Sequence, residues 1–114
     1  MGNPDIELLW WEGCPSTGRA LSDLRDALAD LGLHGAEILM REIDTEQAAA
    51  AAGFHGSPTI LIDGADVVPA APEEPTGLTC RVYRRRDGRI SPTPDPEDLR
   101  EALRRACSRA EVSR

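Results

Sequence analysis

Between Ile6 and Thr17 the chain passes from an apolar run, Ile-Glu-Leu-Leu-Trp-Trp, through Gly13-Cys14-Pro15 into a segment with apolar residues at helical spacing. The run has no breaker and predicts a strand over 6–11. Leu21, Leu24, Leu28 and Leu31 form one stripe while Arg19, Asp23, Arg25, Asp26 and Asp30 fall elsewhere, which predicts an amphipathic helix stopped by Gly32. The corner between them is a strand-to-helix turn. Pro15 suits the first helical position, where its missing N–H is not needed. Cys14 then stands beside free backbone N–H groups and the positive end of the helix dipole, which favours thiolate over thiol. The plainer reading of the same position is a small apolar side chain at a crowded turn.

Farther along, 36–43 is expected to be a second strand with an apolar centre. Asp44, followed three residues on by Gln47, has the form of a capping box and opens a helix that the alanines 48–52 continue and Gly53 stops. Strand, helix, strand and helix in succession predict α/β layering with a parallel first pair. Pro58 precedes the strand beginning at Thr59, a place where proline is tolerated, and Ser57-Pro58 is a candidate cis peptide. Residues 65–77, with Pro69, Pro72, Pro75, Glu73 and Glu74, are expected to form one long loop that folds either over Cys14 or into solvent. In 79–85, Cys80 and Val82 alternate with Arg81, Tyr83 and Arg85; Cys80 shares its face with an apolar residue and is expected to point inward. Asp87-Gly88 predicts a two-residue hairpin turn returning through Arg89-Ile90. Asp95, Pro96, Glu97 and Asp98 agree as cap, first position and acidic first turn of a last helix whose stripe is Leu99, Ala102, Leu103 and Ala106.

At 114 residues the chain suits one domain, 1–114, and no apolar stretch is long enough to cross a membrane. The net charge of −7 argues against nucleic acid and anionic membranes as partners. The one basic cluster, Arg81, Arg84, Arg85, Arg86 and Arg89, reads as a solvated hairpin more readily than as a phosphate site. The first residues lack the basic and apolar segments of a secretory signal, so a cytoplasmic location is expected. Three irregularly spaced cysteines in a reducing compartment do not make a disulfide framework, and at least one thiol should be free or reactive. No cofactor is expected. Zinc is disfavoured because no third and fourth ligands occur at usable spacing.

Taken in this order, strand, Gly-Cys-Pro helix, strand, helix, Ser-Pro-Thr strand, hairpin and helix, the chain resembles the thioredoxin superfamily over nearly its whole length. The resemblance implies a single-domain three-layer α/β fold with a mixed central sheet and flanking helices. It puts Cys14 in the place of the nucleophile and Pro58, preceded by Ser57, in that of the cis-proline, with Trp11, Pro15, Ser57 and Pro58 facing a substrate. Where a dithiol member has its second cysteine this chain has Thr17, so exchange within the motif is excluded. The Thr17 hydroxyl either donates a hydrogen bond to the Cys14 thiolate or belongs to an ordinary first-turn residue. A second thiol for such a site can come from Cys80, 66 positions after Cys14, where a bridge needs their Cα atoms within roughly 7 Å; the plainer reading of Cys80 is a buried cysteine. Cys107, off the last helix's stripe, is incidental.

Gly-Cys-Pro, Gly-Ser-Pro-Thr and Gly-Leu-Thr-Cys-Arg-Val-Tyr together are also similar to small bacterial thioredoxin-like proteins described as alkylmercury-lyase-like. That likeness implies Cys14 and Cys80 as two thiols holding mercury, with Thr17 where the lyase has a carboxylate. Glu12 and His55 are the only nearby proton donors, and soft thiolates also bind a soft metal without turning it over. Three functions stand side by side. One is a thiol-disulfide oxidoreductase acting on a disulfide or thiol substrate, Cys14 attacking and Cys80 resolving. The second is a soft-metal or organomercurial site. The third is a non-catalytic binding module at the Trp10-Trp11 edge, the Pro58 corner and the long loop, the adjacent tryptophans pointing to opposite faces of their strand.

Overall fold

Alternation along β1 (Ile6–Trp10) divides the protein into layers. Ile6 and Leu8 point into one apolar cluster and Leu9 into another, as successive strand residues must. The computed structural model describes residues 3–71 and 73–112. On the larger side, Leu24, Ala27 and Leu28 of α1 (Thr17–Asp30) pack with Leu99, Leu103 and Ala106 of α3 (Pro96–Val112). On the other side, Leu9 meets Ile43, Phe54 and Ala49 of α2 (Glu46–Ala52). Ile60 and Ile62 of β3 (Thr59–Ile62) join the first cluster and Leu61 leans on the second. Trp10 packs on the first cluster and Trp11 on the second, so the two indoles part as expected.

The main sheet runs β2-β1-β3-β4. Parallel pairing joins β1 to β2 (Ile38–Glu42), Ile6 opposite Ile38, with α1 as the crossover. The β1–β3 and β3–β4 pairs are antiparallel, so the sheet is mixed. At the far edge, β2 is shorter than expected and mostly exposed: Leu39 is 57% exposed, because α2 covers the sheet only near Leu9 and Ile43.

Other boundaries also differ from the sequence reading. Pro15 is not the first helical residue: α1 starts at Thr17 after Ser16, and Cys14 closes a turn instead, its N–H donating to the Trp11 carbonyl at 3.0 Å. Thr45, not Asp44, caps α2, its hydroxyl accepting from the Ala48 N–H at 3.0 Å, while Gly53 ends the helix at φ 65°. Residues 65–77 are not wholly loop. Ala65–Asp66 form β4, paired with Leu61 and Ile62 across an Asp63-Gly64 turn.

The segment 79–85 is a strand only at β5 (Tyr83–Arg84), which pairs with β6 (Ile90–Ser91) in a small separate sheet. Arg85 bonds to Arg89 across the turn, so the hairpin loop has three residues, Arg86 to Gly88, with Gly88 at φ 91°. Asp95 caps α3 as read from sequence, its carboxylate accepting from the Glu97 N–H at 2.9 Å. Among the described residues no helix is long and apolar enough to cross a membrane.

Candidate functional site

The Ser57-Pro58 peptide is cis and leads into β3. Its Ser57 carbonyl is a meeting point. The Cys14 thiol donates to it at 3.3 Å, and the Arg81 N–H donates to it at 2.9 Å. The Ser57 N–H in turn donates to the Thr79 carbonyl at 2.8 Å, so Cys80 sits directly beside Ser57 in a parallel bridge. One residue thereby tethers both cysteines by its backbone. Cys14 and Cys80 are thereby neighbours at this corner, close enough for Cys14 to raise the Cys80 pKa, and both thiols are free.

Their surroundings differ. Cys14 is 7% exposed, whereas Cys80 is exposed, against the expectation that it points inward. The Cys80 thiol is pushed up from its ordinary pKa, first by lost hydration around the sulfur, then by the hydrogen bond to Cys14 and its charge.

Alternation in this segment holds, but the inward face is the other one. Arg81 is buried at 7% exposure, and Val82 is 66% exposed. The Arg81 guanidinium pairs with Asp66 at 2.8 Å, donates to Thr59 Oγ1 at 3.2 Å and to the Val68 carbonyl, and lies 4.7 Å from the centre of the Tyr83 ring. Tyr83, buried, donates its hydroxyl to the Pro58 carbonyl. Burial pushes the phenol well up, so it remains a donor. Arg81 and Tyr83 thus fasten the residues on either side of Val82 to the corner, and Cys80 projects from the opposite face. Thr59 Oγ1 also donates to the Gly56 carbonyl at 2.7 Å. Gly56 itself, at φ 131°, lies so near Arg81 that a Cβ would meet its backbone nitrogen at 3.0 Å.

Arg81, Tyr83, Asp66 and Thr59 are the residues that sequence reasoning missed. Cys80 and Val82 are commoner core residues than arginine and tyrosine, so composition pointed to the wrong face. Asp66, the acid that neutralises the buried guanidinium, carries no local sequence signal of that role.

Of the remaining expected site residues, Trp11 lies across the corner. A Cβ on Gly13 would fall 2.4 Å from its ring, so glycine at that position is what lets the indole sit there. Pro15 is exposed beside it. Thr17 Oγ1 is buried without a hydrogen-bond partner, so the bond from Thr17 to Cys14 is not made. Glu12 is exposed, and His55 is turned to the Pro75 carbonyl at 3.1 Å. Of the expected long loop, Val67 and Val68 are held to β3 and Arg81, whereas Gly77 and the following Leu78 are tied to the α2 side, through Gly77 N–H to the Phe54 carbonyl and Leu78 N–H to Glu46. Cys107 is half-buried on α3. Among the described residues no three His, Cys, Asp or Glu side chains converge as a metal site.

Comparison with known proteins gives no match: no family model fits the chain, and neither a curated protein nor a solved structure is detectably similar to it.

Proposed function

We propose that the protein is a thioredoxin-like thiol-disulfide oxidoreductase whose working pair is Cys14 and Cys80. The observation that carries this is the Ser57 carbonyl and N–H holding both cysteine segments at one cis-proline corner. The sheet order β2-β1-β3-β4, with helices on both faces, supports the thioredoxin-like part of the reading. In the reaction, the Cys14 thiolate attacks one sulfur of a substrate disulfide, forming a mixed disulfide and expelling the other sulfur as a thiolate that takes up a proton. Cys80 then gives up its proton and attacks Cys14 Sγ, forming the Cys14–Cys80 disulfide and releasing the second substrate thiol. The substrate gains two electrons and the protein loses two, and an external dithiol restores the free thiols. Such a pair suits a reducing compartment, and we place the protein in the cytoplasm on that ground.

Mild oxidation followed by non-reducing peptide mass spectrometry tests the proposal. A Cys14–Cys80 crosslink reversed by dithiothreitol is the expected product, and Cys80→Ser should trap the mixed disulfide on Cys14. Unchanged exchange in Cys14→Ser overturns it.

The same contact between two thiols favours a second reading, a two-coordinate site for a soft cation such as mercury. Cleavage of a carbon–mercury bond would need a proton donor, and Thr17, Glu12 and His55 do not supply one at the sulfurs. Sequestration is the form of this reading that the residues support. A Cys14 inert to disulfides and to mercury would leave a thioredoxin-like binding module at the Trp11 and Pro58 surface.

A further inference from the structure

The arginines of 81–89 divide by what they touch. Arg81 is buried against Asp66, and Arg86 is held by Asp98 and Glu101 of α3. Arg85 and Arg89, at the end of the β5–β6 hairpin, instead line a depression of about 330 Å³ together with Arg19, Asp87, Ile90, Ser91 and Pro92. The carboxylates facing it cancel only part of this charge. Asp87 pairs with Arg89 at 3.1 Å. Asp95 feels the charge of Arg85, but its oxygens accept from the backbone N–H groups of Arg86 and Glu97. Arg19 and Arg85 have no carboxylate within ion-pair distance among the described residues. Among the described residues the depression thus carries two arginines, Arg19 and Arg85, without an ion-pair partner, in a protein whose net charge is −7.

Both walls of the depression lead back to the thiol corner. Arg19 is the third residue of α1, five positions after Cys14. The hairpin is rooted at Tyr83, whose hydroxyl rests on the Pro58 carbonyl, and its turn reaches the flank of α1 at Arg19.

We propose that the Arg19–Arg85–Arg89 depression binds the anionic group, carboxylate or phosphate, of the sulfur compound on which Cys14 acts, making acidic disulfides the preferred substrates. This deepens the oxidoreductase reading and rests on it for the reacting sulfur. Guanidinium groups suit both anions because their planar N–H pairs bind oxygens two at a time. A local basic site on an acidic protein also guides an anion to one place instead of repelling it everywhere.

Two measurements separate this inference from the reading beneath it. In the first, the reduced protein is titrated with succinate and with inorganic phosphate while its backbone amides are followed by NMR. Saturating shifts at Arg19, Arg85 and Ser91, lost in Arg19→Gln/Arg85→Gln, are expected, and the tighter arm identifies the anion. Flat titrations with both overturn the inference whatever Cys14 does. In the second, rates are compared for 3,3′-dithiodipropionate and the neutral bis(2-hydroxyethyl) disulfide. The acidic-to-neutral ratio should fall about tenfold in the double variant and on raising salt. An unchanged ratio overturns the substrate assignment. Saturable anion binding with neither disulfide reduced refutes the oxidoreductase reading and leaves the anion site standing.

Discussion

Arg81 is the residue on which the thiol pair depends without itself carrying any sulfur chemistry. Its guanidinium is out of water and its charge is met by Asp66, with Thr59 and the Val68 carbonyl taking further N–H groups. Arg81→Ala leaves Asp66 unpaired in a mostly buried place and should lower stability by about 3 kcal/mol in urea unfolding. The same variant should slow formation of the Cys14–Cys80 crosslink, since the clamp beside Cys80 is gone. A second prediction concerns Cys80 alone. Both contributions from Cys14, the hydrogen bond and the charge, raise its pKa, so removing them lowers it. In Cys14→Ala, alkylation of Cys80 by iodoacetamide should reach half its limiting rate at a lower pH than in the wild type. The alternation of 79–83 was legible in the sequence, but its inward face was not. An arginine becomes a core residue only when a partner from another strand arrives, and no local pattern announces Asp66 in that role.

At the scale of elements, the helix ends were the most readable part of the chain. Asp95 with Pro96 marked the start of α3 correctly because the cap is a local bond between a carboxylate and an N–H two residues on. Asp95→Ala should cost about 1 kcal/mol in thermal unfolding. Hydrogen bonds from the Arg86 and Glu97 N–H groups hold the Asp95 carboxyl below its ordinary value. A lowered carboxyl contributes stability that is present above the ordinary carboxylate range and is lost as pH falls through its folded-state value. The gap between wild type and Asp95→Ala should therefore narrow in acid. For α2, Asp44 and Thr45 are adjacent and each carries a side-chain oxygen able to accept the capping hydrogen bond, and it is Thr45 that accepts it. The start of α1 was misplaced for a related reason: a proline after a cysteine fits a first helical position, but the Cys14 N–H was already spent on the Trp11 carbonyl. β4 was invisible because two residues carry no period, and β2 was overrated because its apolar residues lie where α2 does not reach.

The whole molecule joins Cys14 to Cys80 across 66 positions of chain. Closing a loop of that length removes enough freedom from the unfolded chain to stabilise the fold by about 4 kcal/mol. The oxidised protein should therefore melt at a higher temperature than the reduced one, and calorimetry on the two forms checks this. The order of strands and helices, the cis bond and the two layers of core were all foreshadowed by the sequence. What was not is that Cys80 reaches the corner on an irregular excursion, held by backbone bonds to Ser57, instead of on a strand of the main sheet.

That excursion means the dithiol has no existence apart from the fold. In a motif with both cysteines in one helical turn, the two thiols stay neighbours even in a denatured chain. Here their effective concentration toward each other collapses once Ser57 and the 79–83 segment separate. Folding and oxidation form one thermodynamic box: whatever free energy the bridge lends to the folded state, the folded state lends back to the bridge. If the protein is the oxidoreductase proposed above, a loosened chain is a weaker reductant in the same proportion, and reducing power becomes a gauge of whether the protein is intact.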